Sequence, residues 1–88
     1  MQYKIYSIRD LKADGYIRPT FFGNDAEVTR YFGDGVKNPK TGLAAHPEDY
    51  ELFCIGSFDD VTGEIKGCSP RYICRALDFV VKEINSGE

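Results

Sequence analysis

The stretch HPEDYELFCIGSFDDVTGEI, residues 46–65, decides the fold class of this chain. Residues 50–58 are rich in aromatic and aliphatic types, and a segment rich in aspartate and glycine follows, which is the pattern of a β-hairpin. We predict strands at about residues 49–58 and 63–67, joined through Asp59 to Gly63. So short a connection can join only antiparallel strands, so the hairpin indicates an antiparallel sheet.

The N-terminal residues carry a fainter version of this pattern. Residues 2–9 are rich in β-branched and aromatic types and predict a strand. Asp14-Gly15 suits a tight turn, and residues 16–22 predict a return strand. Pro19 has no backbone N–H to donate, so we expect it at an edge or a bulge.

Two segments have the spacing of amphipathic helices. Asn24 or Asp25 is a suitable N-cap for a helix that runs to about Lys37. A second helix is predicted after Ser69 as N-cap, with Pro70 in its first turn, where a missing N–H is harmless. Its apolar stripe follows the i, i+3, i+4, i+7 rule and consists of Ile73, Ala76, Leu77, Val80, Val81 and Ile84.

The two halves of the chain resemble each other at offsets of about 45 to 48 residues. Either the chain is an internal repeat, or any two amphipathic ββα units share such a pattern. We predict an α+β domain of ββαββα order, a four-stranded antiparallel sheet with two helices on one face. A chain of 88 residues is one domain. We divide it into a first ββα unit (1–37), a loop (38–48), a second ββα unit (49–85) and a tail (86–88).

Composition excludes several classes of protein. The chain is 42% hydrophobic and 14% aromatic, which is enough for a core, and no apolar run approaches the roughly 20 residues that span a bilayer. We therefore expect no membrane contact, and the N-terminal residues lack the layout of a signal peptide. The net charge of −3 disfavours wrapping of duplex DNA through the overall field.

No catalytic or metal-binding constellation is evident. Three cysteines at uneven spacing, with no Cys-x-x-Cys pair, argue against both a disulfide framework and a structural zinc site. His46 precedes a proline and has no evident orienting partner, and the carboxylates near Asp59 are typical of a solvated turn. We expect no cofactor, no metal and no enzymatic activity.

Both faces of the predicted strands are apolar, whereas two helices on one side can cover only one face. The other face would expose an aromatic patch, which usually marks a contact surface. We consider a homodimer formed sheet against sheet, a stacking platform for single-stranded nucleic acid, or a different protein partner. Glu51 and Glu64 oppose nucleic-acid binding if they border this surface. The candidate binding residues are Lys4, Tyr6, Ile8, Arg18, Phe53, Ile55 and Lys66.

The hairpin also carries a recognisable combination of residues. It contains HPEDY at 46–50, Leu52-Phe53, Ile55-Gly56, Phe58-Asp59 and Thr62-Gly63. This combination resembles the signature of a small nonstructural protein of gokushoviruses, single-stranded DNA phages of the Microviridae. The N-terminal residues YKIYSIRD at 3–10 are similar to that family as well, although Thr20 separates Pro19 from Phe21-Phe22. The resemblance spans residues 3 to 80.

The resemblance implies a protein that is absent from the virion and works in the cytoplasm of the bacterial host on viral DNA synthesis or packaging. It carries no individual binding residue over to this chain. The candidate partners are single-stranded DNA, the phage replication initiator or procapsid protein, and a second copy of the chain. The alternative function is a homodimeric protein-interaction module that modulates host or procapsid proteins without binding nucleic acid.

Overall fold

The computed structural model describes residues 1–80 as an antiparallel sheet with helices on one side. The sheet consists of β1 (Gln2–Asp10), β2 (Gly15–Tyr16), β3 (Thr20–Phe22), β4 (Tyr50–Asp59) and β5 (Ile65–Arg75). The helices are α1 (Asp25–Lys37) and the short α2 (Gly42–Ala45), and single 3₁₀ turns lie at Pro47–Asp49 and Ala76–Phe79. The α+β class and the antiparallel sheet are confirmed. No helix among residues 1–80 is long and apolar enough to cross a bilayer.

The sheet has five strands, where four were predicted. The strand order is β2-β1-β4-β5. Strand β3 also pairs with β1: β2 pairs with the C-terminal end of β1, and β3 pairs with residues 4–6 of β1. The return strand is thus divided in two by Ile17 to Pro19. The last backbone hydrogen bond before the break runs from the Ile17 N–H to the Ile8 carbonyl, at 2.9 Å. Pro19 has no N–H with which to continue the ladder of hydrogen bonds to β1.

Helix α1 was predicted correctly and supplies one half of the core. The Asn24 side chain caps it by accepting from the Glu27 N–H at 2.9 Å. Its buried residues Val28, Phe32 and Val36 pack on the sheet. The sheet contributes Tyr6, Leu52, Cys54 and Cys74 to the same cluster. In the predicted loop 38–48, Thr41 caps the four-residue α2 through the Ala44 N–H.

The predicted second helix is wrong over Ser69 to Phe79. Residues 65–75 form β5, and only the single 3₁₀ turn at Ala76–Phe79 is helical, so the ββαββα order fails in its last element. A strand is favoured over a helix here because β4 is ten residues long and offers backbone partners to β5 as far as Arg75. Of the apolar stripe, Ala76 is buried and Val80 is exposed, while Val81 and Ile84 lie outside the described residues.

A bulge accommodates the serine and proline that suggested a helix start. Cys54 pairs with Arg71 and Gly56 with Gly67, so three residues of β5 lie opposite Ile55 alone. Pro70 is one of these three, on the last strand of the sheet order, where a proline is tolerated. The two halves therefore differ at the position of the helix: Asn24 caps α1, whereas Ser69 lies in a strand.

Candidate functional site

Helix α1 covers one side of the sheet, and we call the opposite side the open face. Tyr6 points toward α1 and is fully buried, so its neighbour Ser7 belongs to the open face. Ser7 is in register with Phe53 of β4, which alternates with the core residues Leu52 and Cys54. The open face at this position therefore carries Phe53.

Phe53 is the centre of a row of three rings across the open face, which we call the Phe53 triad. Tyr16 of β2 and Tyr72 of β5 each lie edge-on to Phe53, with ring centroids 5.8 Å apart in both pairs. Tyr16 is in register with Arg9 of β1, and its ring reaches Phe53 diagonally; the β1 partner of Phe53 is the small Ser7, whose hydroxyl donates to the Ile17 carbonyl. Tyr16 is 44% exposed and Tyr72 is 50% exposed, so the outer rings are accessible.

A second row of rings, the Phe58 triad, lies nearer the β4–β5 turn. Phe58 contacts Tyr3 of β1 with centroids 6.4 Å apart and Phe21 of β3 with centroids 5.6 Å apart. Phe21 alternates with Phe22, which packs on Tyr31 of α1, so Phe21 and this row lie on the open face. Each triad thus has a central β4 phenylalanine flanked by rings from other strands.

Charged side chains border the Phe53 triad at one end. The Arg9 guanidinium lies 6.0 Å from the centre of the Tyr16 ring, within the range of a cation–π contact. Glu51 of β4 is in register with both Arg9 of β1 and Arg75 of β5. Burial, with the nearby charges of Asp78 and Glu51, raises the pKa of Tyr72. Aromatic rings and two arginines therefore share one end of the open face.

The predicted binding residues do not form one surface. Tyr6 and Ile8 were expected beside Phe53, but they face α1, where Tyr6 is enclosed in the core and Ile8 packs against it. The expectation was wrong because the register pairs Tyr6 with Cys54 and Ser7 with Phe53, and alternation within a strand does not reveal register between strands. Of the seven residues, Phe53 lies at the centre of an open-face triad.

The remaining candidates are dispersed. Lys4 and Lys66 are both in register with Ser57, in a row on the α1 side, where Lys4 approaches Asp25 and Lys66 lies 3.9 Å from Glu64. Arg18 is exposed in the break between β2 and β3. Ile55 is half-buried at the bulge of β4. Their roles in binding stay predictions, but these four side chains do not surround the Phe53 triad.

On the α1 side, Asp25 joins three elements through its carboxylate. It accepts a hydrogen bond from the Tyr6 hydroxyl at 2.6 Å and two from the Arg71 guanidinium at 3.0 and 3.1 Å, and Lys4 lies 3.8 Å away. The hydrogen bonds from Arg71 and Tyr6 lower the pKa of Asp25 to about 2. This carboxylate therefore links the first turn of α1 to β1 and β5.

Replacement of Asp25 by asparagine is expected to remove part of the acid sensitivity of folding. The folded-state pKa of about 2 lies below the ordinary 3.8, so the stabilisation is complete above the ordinary value and is lost as the pH falls toward 2. The difference in free energy of unfolding between wild type and Asp25→Asn should therefore shrink across this window in urea titrations. A difference independent of pH would contradict the assignment, and Asp34→Asn on the exposed side of α1 is the control.

Within residues 1–80, the other reactive groups do not assemble into a site. His46, Glu48 and Asp49 bring ligand atoms within 4.8 Å of one another, but on the surface turn at Pro47–Asp49, with His46 and Glu48 exposed, where acidic groups commonly lie together without a metal. The three cysteines are free thiols, and burial raises the pKa of Cys74 to about 11. A thiol with so high a pKa is a poor nucleophile.

Several open-face residues were missed from the sequence. Tyr72 and Arg75 were assigned to a helix, and Arg9 and Tyr16 were placed in strands without a role. The available signal was the run Arg71-Tyr72-Ile73-Cys74, whose aromatic and β-branched residues favour a strand. It was outweighed by the helix-start pattern of Ser69-Pro70.

Comparison with protein families gives the class of the molecule. The family model described as Phage ORF5 protein matches residues 3–79, which include helix α1 and all of the described sheet except Gln2. The chain belongs to the Phage ORF5 protein family. A search of curated proteins found no match, and a search of solved structures found none. The match indicates a phage protein family.

Proposed function

We propose that this phage protein is a non-enzymatic accessory factor in viral DNA replication or packaging that binds single-stranded DNA through the Phe53 triad. The observation that carries the proposal is the row Tyr16, Phe53 and Tyr72, whose two outer rings are exposed, with Arg9 and Arg75 at one end. Bases stack on aromatic rings presented by a sheet, while cations at the border contact phosphates. Contact with the replication initiator or procapsid protein through the same face would serve the same role.

The resemblance to gokushovirus nonstructural proteins and the family match support the biological setting of this proposal. A protein of this kind would work in the cytoplasm of the bacterial host and would not be part of the virion. Its mild acidity favours local contact with single strands over coating of duplex DNA, because the overall field repels phosphates. The open face therefore has to supply the affinity.

Fluorescence anisotropy with a labelled oligothymidylate of about 16 nucleotides tests the proposal. We expect binding at about 50 mM salt that weakens at about 200 mM, because phosphate contacts release counterions. A duplex of the same length should bind more weakly, since its bases are not available for stacking. Absence of binding to the single strand at the lower salt concentration would overturn the proposal.

The Phe58 triad favours a second candidate function, a homodimeric protein-interaction module. Tyr3 and Ile5 are in register with Phe58 and Gly56, and Ile65 pairs with Phe58, so this end of the open face is apolar across three strands. Apposed apolar patches associate without like-charge repulsion. Light scattering at micromolar concentration should then show a dimer that Phe21→Ser weakens, whereas a clean monomer would argue against this candidate.

A further inference from the structure

The arginines beside the Phe53 triad are both engaged by carboxylates of the same chain. Arg9 Nη2 lies 2.8 Å from an Asp14 carboxylate oxygen, and Arg75 Nε lies 3.0 Å from an Asp78 carboxylate oxygen. Glu51 lies in register between the two arginines. Two guanidinium groups and three carboxylates leave this end of the open face with a net charge of −1. A phosphate that approaches the triad thus meets arginines that are already paired.

We infer that Asp14 and Asp78 are internal competitors for the phosphates of bound single-stranded DNA, and that they weaken its binding at the Phe53 triad. The inference rests on the proposed function and concerns which residues set the affinity. A carboxylate and a phosphate oxygen accept the same hydrogen bonds from a guanidinium, so one can replace the other. Each arginine can contact DNA only after its aspartate has been displaced.

The geometry makes this displacement feasible. The Asp14 side chain is 82% exposed and belongs to the turn between β1 and β2, where its backbone has a positive φ of 58°. Asp78 lies in the 3₁₀ turn after β5, and it also accepts from the backbone N–H of Arg75 at 3.1 Å. Exposed ion pairs are worth little in water, so either aspartate can be exchanged for a phosphate at small cost.

The consequence is a binder that holds a single strand through stacking and only weakly through charge. Such a protein releases its strand readily, because the aspartates re-form their ion pairs as the phosphates leave. This behaviour suits a factor that contacts a strand in transit between synthesis and packaging. Affinity dominated by stacking also explains how an acidic domain binds a polyanion, because the aromatic rings contribute more to binding than the net charge opposes it.

The test compares the double variant Asp14→Asn/Asp78→Asn with the double variant Asp34→Asn/Glu48→Gln by oligothymidylate anisotropy. Both variants remove two negative charges, but Asp34 and Glu48 lie outside the ion pairs found in residues 1–80. Asparagine keeps the size of the side chain, can accept the Arg75 N–H bond and tolerates a positive φ. We expect the first variant to bind up to about fivefold more tightly per freed arginine at low salt.

The salt dependence gives a second readout. Each arginine that stays paired with its aspartate in the wild-type complex but contacts a phosphate in the variant should steepen the slope of log affinity against log salt by about 0.7, and the control variant should leave the slope unchanged. Equal gains in both double variants, or no gain in the first, would overturn the inference while leaving the proposed function intact. If neither wild type nor either variant binds at low salt, both the inference and the proposed function fail.

Discussion

Replacement of Tyr72 by alanine is expected to lower affinity for a single-stranded oligonucleotide by about 5- to 150-fold. The range follows from the free energy of stacking one base on one aromatic side chain, about 1–3 kcal/mol. Tyr72 is half exposed at the outer end of the Phe53 triad, so the substitution removes a stacking surface without opening the core. Anisotropy at low salt measures the loss directly.

Tyr31→Ala is the matched control for this experiment. Tyr31 is 60% exposed, but it lies on α1 and packs on Phe22, on the other side of the sheet. Its loss should change oligonucleotide affinity by less than about twofold, since no base is expected to stack there. Equal losses in both variants would indicate that the open face is not the binding surface, and an unchanged affinity in Tyr72→Ala would contradict stacking on the triad.

Replacement of Gly56 by alanine is expected to destabilise the fold by about 1–3 kcal/mol, the usual range for forcing extra atoms into a packed site. A Cβ at this position would collide with the backbone carbonyl oxygen of Lys66 on β5. Backbone atoms cannot move aside as a flexible side chain can, so the hairpin must separate locally or shift its register. Urea denaturation followed by circular dichroism gives the change in free energy of unfolding.

Gly67→Ala provides the comparison, because Gly67 is the cross-strand partner of Gly56 and no atom of residues 1–80 lies within 4 Å of a Cβ built there. This variant should be neutral or slightly stabilised, since alanine restricts the unfolded chain. Similar unfolding midpoints for the two variants would show that β4 and β5 do not pair in this register. The experiment therefore tests the strand that replaces the predicted second helix.

Local signals were sufficient for much of the fold. The strand around Leu52, the turn after Phe58 and the Asn24 cap are each determined by residues close together in sequence, and the structure confirms all three. The second helix failed because its signals were also local, whereas pairing with β4 is not. A serine and a proline that suit a helix start are equally acceptable in a bulge of an edge strand.

The composition of the open face required information that the sequence does not display. The expectation that helices on one side leave the other apolar face of the sheet uncovered agrees with the exposed rings of Tyr16, Phe21 and Tyr72. Which residues share that face depends on the register between β1 and β4. The register shifts between Ile5 and Tyr6, and this shift brings Phe58 to the same side of the sheet as Phe53. A bulge moves the side chains that follow it to the opposite face of the strand, and no local sequence pattern at Ile55 predicts the bulge.

The most direct test of the account is a titration of isotope-labelled protein with oligothymidylate, followed by the chemical shifts of backbone amides. We predict that the largest shifts fall on Arg9, Tyr16, Phe53 and Tyr72, and that amides on the exposed side of α1 near Tyr31 change little. Shifts concentrated on α1, with the Phe53 triad unaffected, would contradict the claim that the open face of the sheet is the functional surface.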